Sequence, residues 1–464
     1  MIACPNCGGN LKFHIPSQQL ACEYCSSQFD PYSFDSKEKD AQEQKEFEVT
    51  IFSCPQCGGE ILSTDNTAAG FCSFCGASTI LYSRIEKELR PEFIIPFQKT
   101  KEDCKKAYSD RMKKAIFAPK ELRDEKHIDS FRGIYMPYWA YYFTQNQHVS
   151  MDGKKSHRRG DYIITDHYAL NCDLQAYYKG LSYDASSSFS DDISQAIAPY
   201  DVKGMKAFTP AYLSGFYADT ADIEPGFYEP EARQAAFESS RQKLVSHGSF
   251  SSYSPNIKNS VNPGSDYLGT TTQEIDRTMF PVWFLSYRKG DRVAYATVNG
   301  QTGKVVNDLP VDPKRYLIGS LILAIPLFIL LNLLFTFKPS FLVMHTTAIS
   351  ILSLILFAIE ENRLRRKENG SDDKGLHASK KGINNTSVKK EKGGAAGYII
   401  SIIAAIISGL ILAINPVSDI IFYGAAILSL IGVAISITRI IRIHNLLATR
   451  RLPQFHYKGG DDRA

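Results

Sequence analysis

Three features of the 464-residue chain predict a multi-domain fold: two small cysteine-caged ribbons, an α+β cytoplasmic domain with an antiparallel sheet, and a C-terminal four-helix transmembrane region. The first is a cysteine pattern written twice. The second is a central stretch of short, aromatic-rich strand patterns with two helical ones between them. The third is a set of four apolar runs after residue 315.

The first copy reads CPNCGG then CEYC (Cys4, Cys7, Cys22, Cys25). The second reads CPQCGG then CSFC (Cys54, Cys57, Cys72, Cys75), so each cysteine recurs 50 positions on. Two cysteines three apart turn both sulfurs to one side of a knuckle, and Gly8-Gly9 and Gly58-Gly59 allow the left-handed backbone it needs. Two facing knuckles make the tetrahedral four-sulfur cage that zinc prefers. The gap within each copy is about one residue short of the usual zinc-ribbon range. Units this short cannot bury enough apolar surface to fold alone. Zinc binding, worth roughly 10–16 kcal/mol in small zinc peptides, makes up the deficit. All eight cysteines are therefore expected to hold two structural Zn2+ ions, since a four-cysteine site leaves no open coordination position. Disulfides and an iron–sulfur cluster are the competing readings. The opening MIACPNCGG has neither a basic n-region nor an apolar h-region, which argues against secretion. His14 reads as a surface histidine beside a full cage. Cys104 and Cys172, outside the quartets, read as buried or partly buried thiols.

Taken in order, zinc ribbon 1 covers 1–30 and a charged linker covers 31–50. Within the linker, DSKEKDAQEQKEF (35–47) has the composition of a solvated helix, and Tyr32 and Phe34 are expected to pack on the ribbon. Zinc ribbon 2 covers 51–80. The α+β domain covers 91–312. It opens on an extended PEFIIPF and an amphipathic helix over 101–116. Strands are expected at 133–143, 162–170, 173–178 and 211–218 (AYLSGFYA), with KKSHRR (154–159) at a hairpin tip. A helix over 230–246 carries proline in its first turn, and 247–272 reads as a long loop. A strand meander over 279–306 ends in the turn Asn299–Gly303. Trp139 and Trp283 sit in matching sequence settings, which hints at two related strands of one sheet.

The apolar runs 316–335, 340–359, 395–414 and 420–438 are each long enough to cross a hydrocarbon core of roughly 30 Å. They group as hairpins 316–359 and 395–438, separated by a basic loop (360–394) and followed by a basic tail (439–464). The loop holds ten Lys/Arg, the tail six, and the two short turns together only Lys338. The positive-inside rule then puts the N-terminal region, the loop and the C-terminus in the cytoplasm, which agrees with reduced, metal-binding cysteines. No charge is found in mid-span; Asp419 lies at a turn and Glu360 and Glu361 at an end. The spans read as an anchor rather than a carrier.

The net charge of +4 hides an asymmetry. Residues 1–90 carry seven Lys/Arg against twelve Asp/Glu, and from 316 onward the count is 17 against nine. The basic half lies beside the apolar runs, which points to the anionic lipid bilayer as a partner. Phosphate-cradling loops, nucleophile elbows and zincin motifs are absent. Asp191-Asp192 reads as a helix start, and His148, His157 and His167 lack metal-ligand spacing. The chain is therefore read as a non-enzyme with no evident small-molecule substrate.

The doubled CPxCGG ribbon, the strings AYLSGFYA and FPVWFLSY, the NGQTG turn and the C-terminal spans resemble a bacterial family of TFIIB-type zinc-ribbon membrane proteins. Its members often carry labels borrowed from primosomal (replication-restart) helicases, although no helicase motor is present here. The resemblance implies the eight zinc cysteines. It also implies partnership with phage-shock envelope-stress systems, beside a stomatin-like (SPFH) protein and phage-shock protein A. The functional expectation is a membrane-anchored scaffold whose ribbons dock a cytoplasmic protein. The alternative, a membrane-tethered nucleic-acid binder, is disfavoured because the acidic ribbon segment repels phosphates.

Overall fold

The computed structural model describes residues 2–34, 46–63, 72–76, 82–187, 189–255, 267–335, 338–370, 395–414 and 418–452. The helix expected at 35–47 lies outside them except for its last two residues, which are strand.

The first ribbon is a three-stranded antiparallel sheet of β1 (Leu11–His14), β2 (Gln19–Cys22) and β3 (Gln28–Phe29). Leu11 and Phe13 face inward and Lys12 and His14 outward, the two-residue alternation of a half-buried strand. The next elements are β4 (Glu46–Ser53), β5 (Glu60–Ser63), β6 (Tyr82–Leu89), β7 (Phe93–Ile94), α1 (Lys101–Lys114) and α2 (Glu125–Ile128). Then come β8 (Arg132–Arg159), β9 (Tyr162–Asp184), α3 (Asp191–Ile197), β10 (Lys206–Ala207), β11 (Tyr217–Ala218) and α4 (Glu229–Ser246). They are followed by β12 (Thr270–Lys289), β13 (Arg292–Asn299) and β14 (Val305–Asn307), by the helices α5 (Pro313–Leu334), α6 (Pro339–Gly370), α7 (Ala395–Ala413) and α8 (Asp419–Leu447), and by β15 (Arg450–Arg451).

Twelve of these strands join one large sheet whose spine runs β10-β7-β12-β8-β11-β5-β4-β6. Its pairings are antiparallel except for two short parallel ones, β11 with β8 and β12 with β7. The second ribbon is thus part of the sheet, through β4, β5 and β6. Met136 pairs with Phe280, Trp139 with Arg277 and Gly133 with Trp283, so the two tryptophan strands lie side by side about a local two-fold. Each indole donates to a carbonyl, Trp139 to Ile223 and Trp283 to Lys99.

Several expectations are corrected. The strands expected at 162–170 and 173–178 are one 23-residue strand, and the strand at 133–143 extends to Arg159. Gly180, at φ +68°, marks a register shift opposite Tyr141–Phe143; an in-strand glycine is here a bulge rather than a stop. AYLSGFYA is mostly not strand. Pro210 starts a 3-10 turn, with Thr209 Oγ1 accepting from the Ala211 amide, and only Tyr217–Ala218 pairs. In the NGQTG turn Asn299 Oδ1 accepts from the amides of Gln301 and Thr302, both at 2.9 Å. Gly300 is needed for closeness: a Cβ there would lie 2.6 Å from the Phe97 ring.

Among the described residues, three C-terminal helices are long and apolar enough to cross a membrane: Pro313–Leu334, Pro339–Arg366 and Asp419–Leu447. The apolar core of α7 within the described residues, Ile402–Ile411, is shorter. α6, α7 and α8 pack on one another, while the apolar window of α5 is wholly unburied. α6 and α8 run beyond the expected span ends, so Arg363–Arg366 and Arg439–Arg442 are helical rather than loop and tail. Arginine is a good helix former, and Glu361 pairs with Arg365 one turn on. Glu361 is also not a simple end residue. It is buried and meets Arg365 (3.1 Å), Arg439 (3.1 Å) and Arg442 (3.3 Å), tying α6 to α8.

The end of α8 is stapled to the sheet. β15 pairs with β13, Arg292 donates to the carbonyls of Leu446 and Thr449, and Asn445 exchanges two hydrogen bonds with Val311. Removing one partner of a buried ion cluster strands the others at a cost of roughly 3–5 kcal/mol. Glu361→Ala is therefore expected to lower the thermal unfolding midpoint of the detergent-solubilised protein well below that of Glu360→Ala, whose carboxylate is more exposed.

Candidate metal centres

The fold brings all eight predicted cysteines into two groups of four. Within each group the sulfurs lie within 4.8 Å of one another. Zn–S bonds of about 2.3 Å set sulfurs about 3.8 Å apart in a tetrahedron. Cross-knuckle sulfurs stand 3.5 Å (Cys4–Cys25) and 3.4 Å (Cys7–Cys22) apart in the first group. They stand 3.9 Å (Cys54–Cys75) and 3.7 Å (Cys57–Cys72) apart in the second. A disulfide needs about 2.05 Å, and none of the ten cysteines is in one. Each group could hold a metal ion, and the donor set is consistent with zinc.

The knuckles are built alike. The Gly8 amide donates to the Cys4 carbonyl at 2.8 Å and the Gly58 amide to that of Cys54 at 2.7 Å. Only the first glycine of each pair is left-handed, Gly8 at φ +75° and Gly58 at φ +72°. Ser26 (φ +59°) and Gly76 (φ +67°) close the second knuckles in the same way.

Their electrostatics show why a cation suits them. Contacts from Cys54, Cys57 and Cys75 hold the Cys72 thiol far above the ordinary range, while Cys72 pulls Cys54 down to about 6. In the first group, Ser27 pulls Cys25 down to about 6. Four thiolates at this spacing repel one another, and a divalent ion at the centre removes that repulsion.

The surroundings differ. Cys7 and Cys25 are exposed, whereas all four cysteines of the second cage are buried. The first ribbon docks through its strands: Phe13 meets Tyr212 at 5.2 Å and its amide donates to the Ser214 carbonyl. Phe34 packs on Phe29 of the ribbon, while Tyr32 packs on Tyr212. The second cage sits against the large sheet, packed by Tyr217 and Leu452. Arg132 lies over the Tyr217 ring (5.3 Å); burial lowers its pKa, and Tyr217 and Cys72 act in the opposite sense. These neighbours come from distant segments, and no local spacing announces them.

Other sequence candidates stay apart from the cages. His14 bonds to Ser17. His148 and His157 face Asp173 and Asp166 across the β8–β9 ladder. Cys104 is buried, which pushes its thiol up. Asp191 lies in the first turn of α3 and accepts from the Tyr228 hydroxyl.

Among curated proteins, the chain is similar to the uncharacterized protein YdjG of Bacillus subtilis (strain 168), 29% identical over 313 residues. That match covers 67% of this chain and 89% of the relative. No family model matches, and no solved structure matches.

Metal analysis is expected to find two ions per chain. A chromophoric chelator should strip the first cage rapidly under native conditions and the buried one only on unfolding. Cys25→Ala should leave one ion and an intact large sheet, whereas Cys57→Ala should also destabilise β4–β6, read by amide hydrogen exchange.

Proposed function

We propose that the protein is a membrane-anchored, zinc-binding scaffold that presents its first ribbon to a cytoplasmic protein partner. The observation that carries this reading is the asymmetry of the cages. One is buried in the sheet, and the other turns two of its ligands, Cys7 and Cys25, to solvent. A rigid, exposed knuckle on a short metal-braced sheet is a surface suited to protein docking. Both ions are zinc in this reading, and the TFIIB-type resemblance points to a stomatin-like (SPFH) or phage-shock protein A-type partner.

The anchor has four spans, with α7 as the third. The position of the chain ends supports this count. α5 starts at Pro313 beside the sheet, with the Asp312 amide donating to the Phe117 carbonyl. α8 ends bound to Val311 and β13. A chain that leaves and returns on the same side of a bilayer crosses it an even number of times. The C-terminal ends of α6 and α8 meet at Glu361, as expected for second and fourth spans leaving on one side. The basic loop and tail then lie on the side of the sheet, which the positive-inside rule makes cytoplasmic.

A second reading rests on a different feature. Beyond Gln145, β8 pairs only with β9 among the described residues. The two form a ribbon about 46 Å long at roughly 3.3 Å per residue, with Lys154, Lys155, Arg158 and Arg159 exposed near its tip. A two-stranded ribbon fits the major groove of DNA.

Two measurements separate these readings. Deleting residues 1–30 is expected to abolish co-purification of the partner while membrane localisation persists; unchanged partners would remove the scaffold reading. The quadruple change of Lys154, Lys155, Arg158 and Arg159 to Gln should lower the salt slope of DNA binding by up to about 3.6 if those side chains contact phosphates. An unchanged slope would discard the nucleic-acid reading.

A further inference from the structure

The two cages share a 50-residue register, and the second one is already docked. The residue at the tip of its Cys72–Cys75 knuckle is Phe74, which is 1% exposed. Its ring meets Phe284 at 6.3 Å, and its carbonyl accepts from the Tyr295 hydroxyl at 2.7 Å. The hollow that receives it has aromatic walls, with Phe284 lying 5.1 Å from Tyr295 and 6.3 Å from Phe189. It is rimmed by cations. Arg288 donates to Gln56 of the other knuckle at 2.7 Å, Arg450 lies over the Tyr295 ring at 5.9 Å, and Arg132 lies over Tyr217.

Fifty positions earlier, Phe74 corresponds to Tyr24 and Gln56 to Asn6. Tyr24 is 79% exposed, and its ring rests on the backbone of the facing knuckle. It lies against Gly9, where an added Cβ would stand 2.5 Å from Cδ2 of the ring. An aromatic side chain at the tip of a tight turn brings a large apolar area with few rotatable bonds, and tyrosine is among the residues that most often dominate interfaces. The first ribbon is also negative. Residues 1–30 carry one lysine against two carboxylates, and a zinc with four thiolates adds about −2.

We infer that the Cys22–Cys25 knuckle, with Tyr24 at its tip, is the docking surface of the first ribbon, and that its partner is a protein offering an aromatic hollow rimmed by arginines, the counterpart of the one this chain's own sheet offers to Phe74. This rests on the scaffold reading above and gives it a contact residue and a complementary chemistry. The argument is that one knuckle geometry, used twice in a chain, shows at its buried copy what the exposed copy is shaped to enter. The charge agrees: both cages are anionic, and the hollow that holds the second is cationic.

The test places a photo-crosslinking benzoylphenylalanine at position 24 of the full-length protein in intact cells, with position 74 as the internal control. The position-74 adduct should map to β12 or β13 of the same chain. The position-24 adduct should map to an aromatic- and arginine-containing peptide of a different protein. Tyr24→Phe should keep co-purification of that protein within about twofold. Tyr24→Ala should lower it by about tenfold or more, the loss typical of an interface hot spot, with two metal ions per chain showing that the ribbon remains folded. An adduct from position 24 to nucleic acid, to lipid or to another copy of this chain overturns the inference. So does full partner capture by Tyr24→Ala when deletion of residues 1–30 abolishes it, an outcome that leaves the scaffold reading standing. If the deletion also captures the partner fully, the scaffold reading falls with it.

Discussion

Four sulfurs within 4.8 Å of one another form a group that the fold can gather but cannot leave charged. Each thiolate raises the proton affinity of its neighbours, and burial of the second cage adds the penalty of a low dielectric. A divalent cation would resolve both, and metal binding and folding of the segment would then be one equilibrium. The consequence reaches beyond the ribbons. β4, β5 and β6 are the far strands of the large sheet, and the cage they carry is part of their small core with Phe52 and Ile61. The same four cysteines that look like a free-standing module in sequence are therefore a cornerstone of the sheet.

What was legible follows from how local the signal is. The cages were readable because two-residue gaps fix knuckle geometry within a single turn. α1 was readable from its amphipathic pattern and α4 from Pro230 in its first turn; the capping box of Thr100 and Asp103 that starts α1 is seen in the structure. The central strands were found but cut short. The expected strand ended at 178, yet the ladder continues to Asp184 because a bulge at Gly180 absorbs one extra residue. AYLSGFYA was read as strand from its aromatic and apolar composition. Pro210 and the Thr209 cap turn most of it into the platform that receives Phe13 instead.

Non-local features were not legible. Glu361 and Arg439 are 78 residues apart, and nothing around either residue reports the other. Its three arginines come from two helices whose packing the hydropathy pattern does not specify. The difference between the cages was equally hidden, because the two cysteine motifs are nearly identical in sequence. It arises from what lies outside them: Phe284, Tyr295 and Arg288 on β12 and β13 cover one cage, while the other ribbon spends its buried face on Tyr212.

β13 links these parts. One of its residues, Tyr295, holds the second knuckle through the Phe74 carbonyl. Three positions away, Arg292 grips the last turn of α8, and the strand pairs with β15 directly after that helix. The buried cage and the end of the helical foot are thus attached to opposite sides of one short strand, with no flexible linker between them. A load on the membrane helices would pass through β13 into the sheet that seats both ribbons. The charge of each part suits the same layout: arginine clusters lie at the helix ends, where anionic headgroups would sit, and the anionic ribbons are carried on the sheet. In the scaffold reading proposed above, the exposed knuckle would be positioned through this sheet by the helical foot.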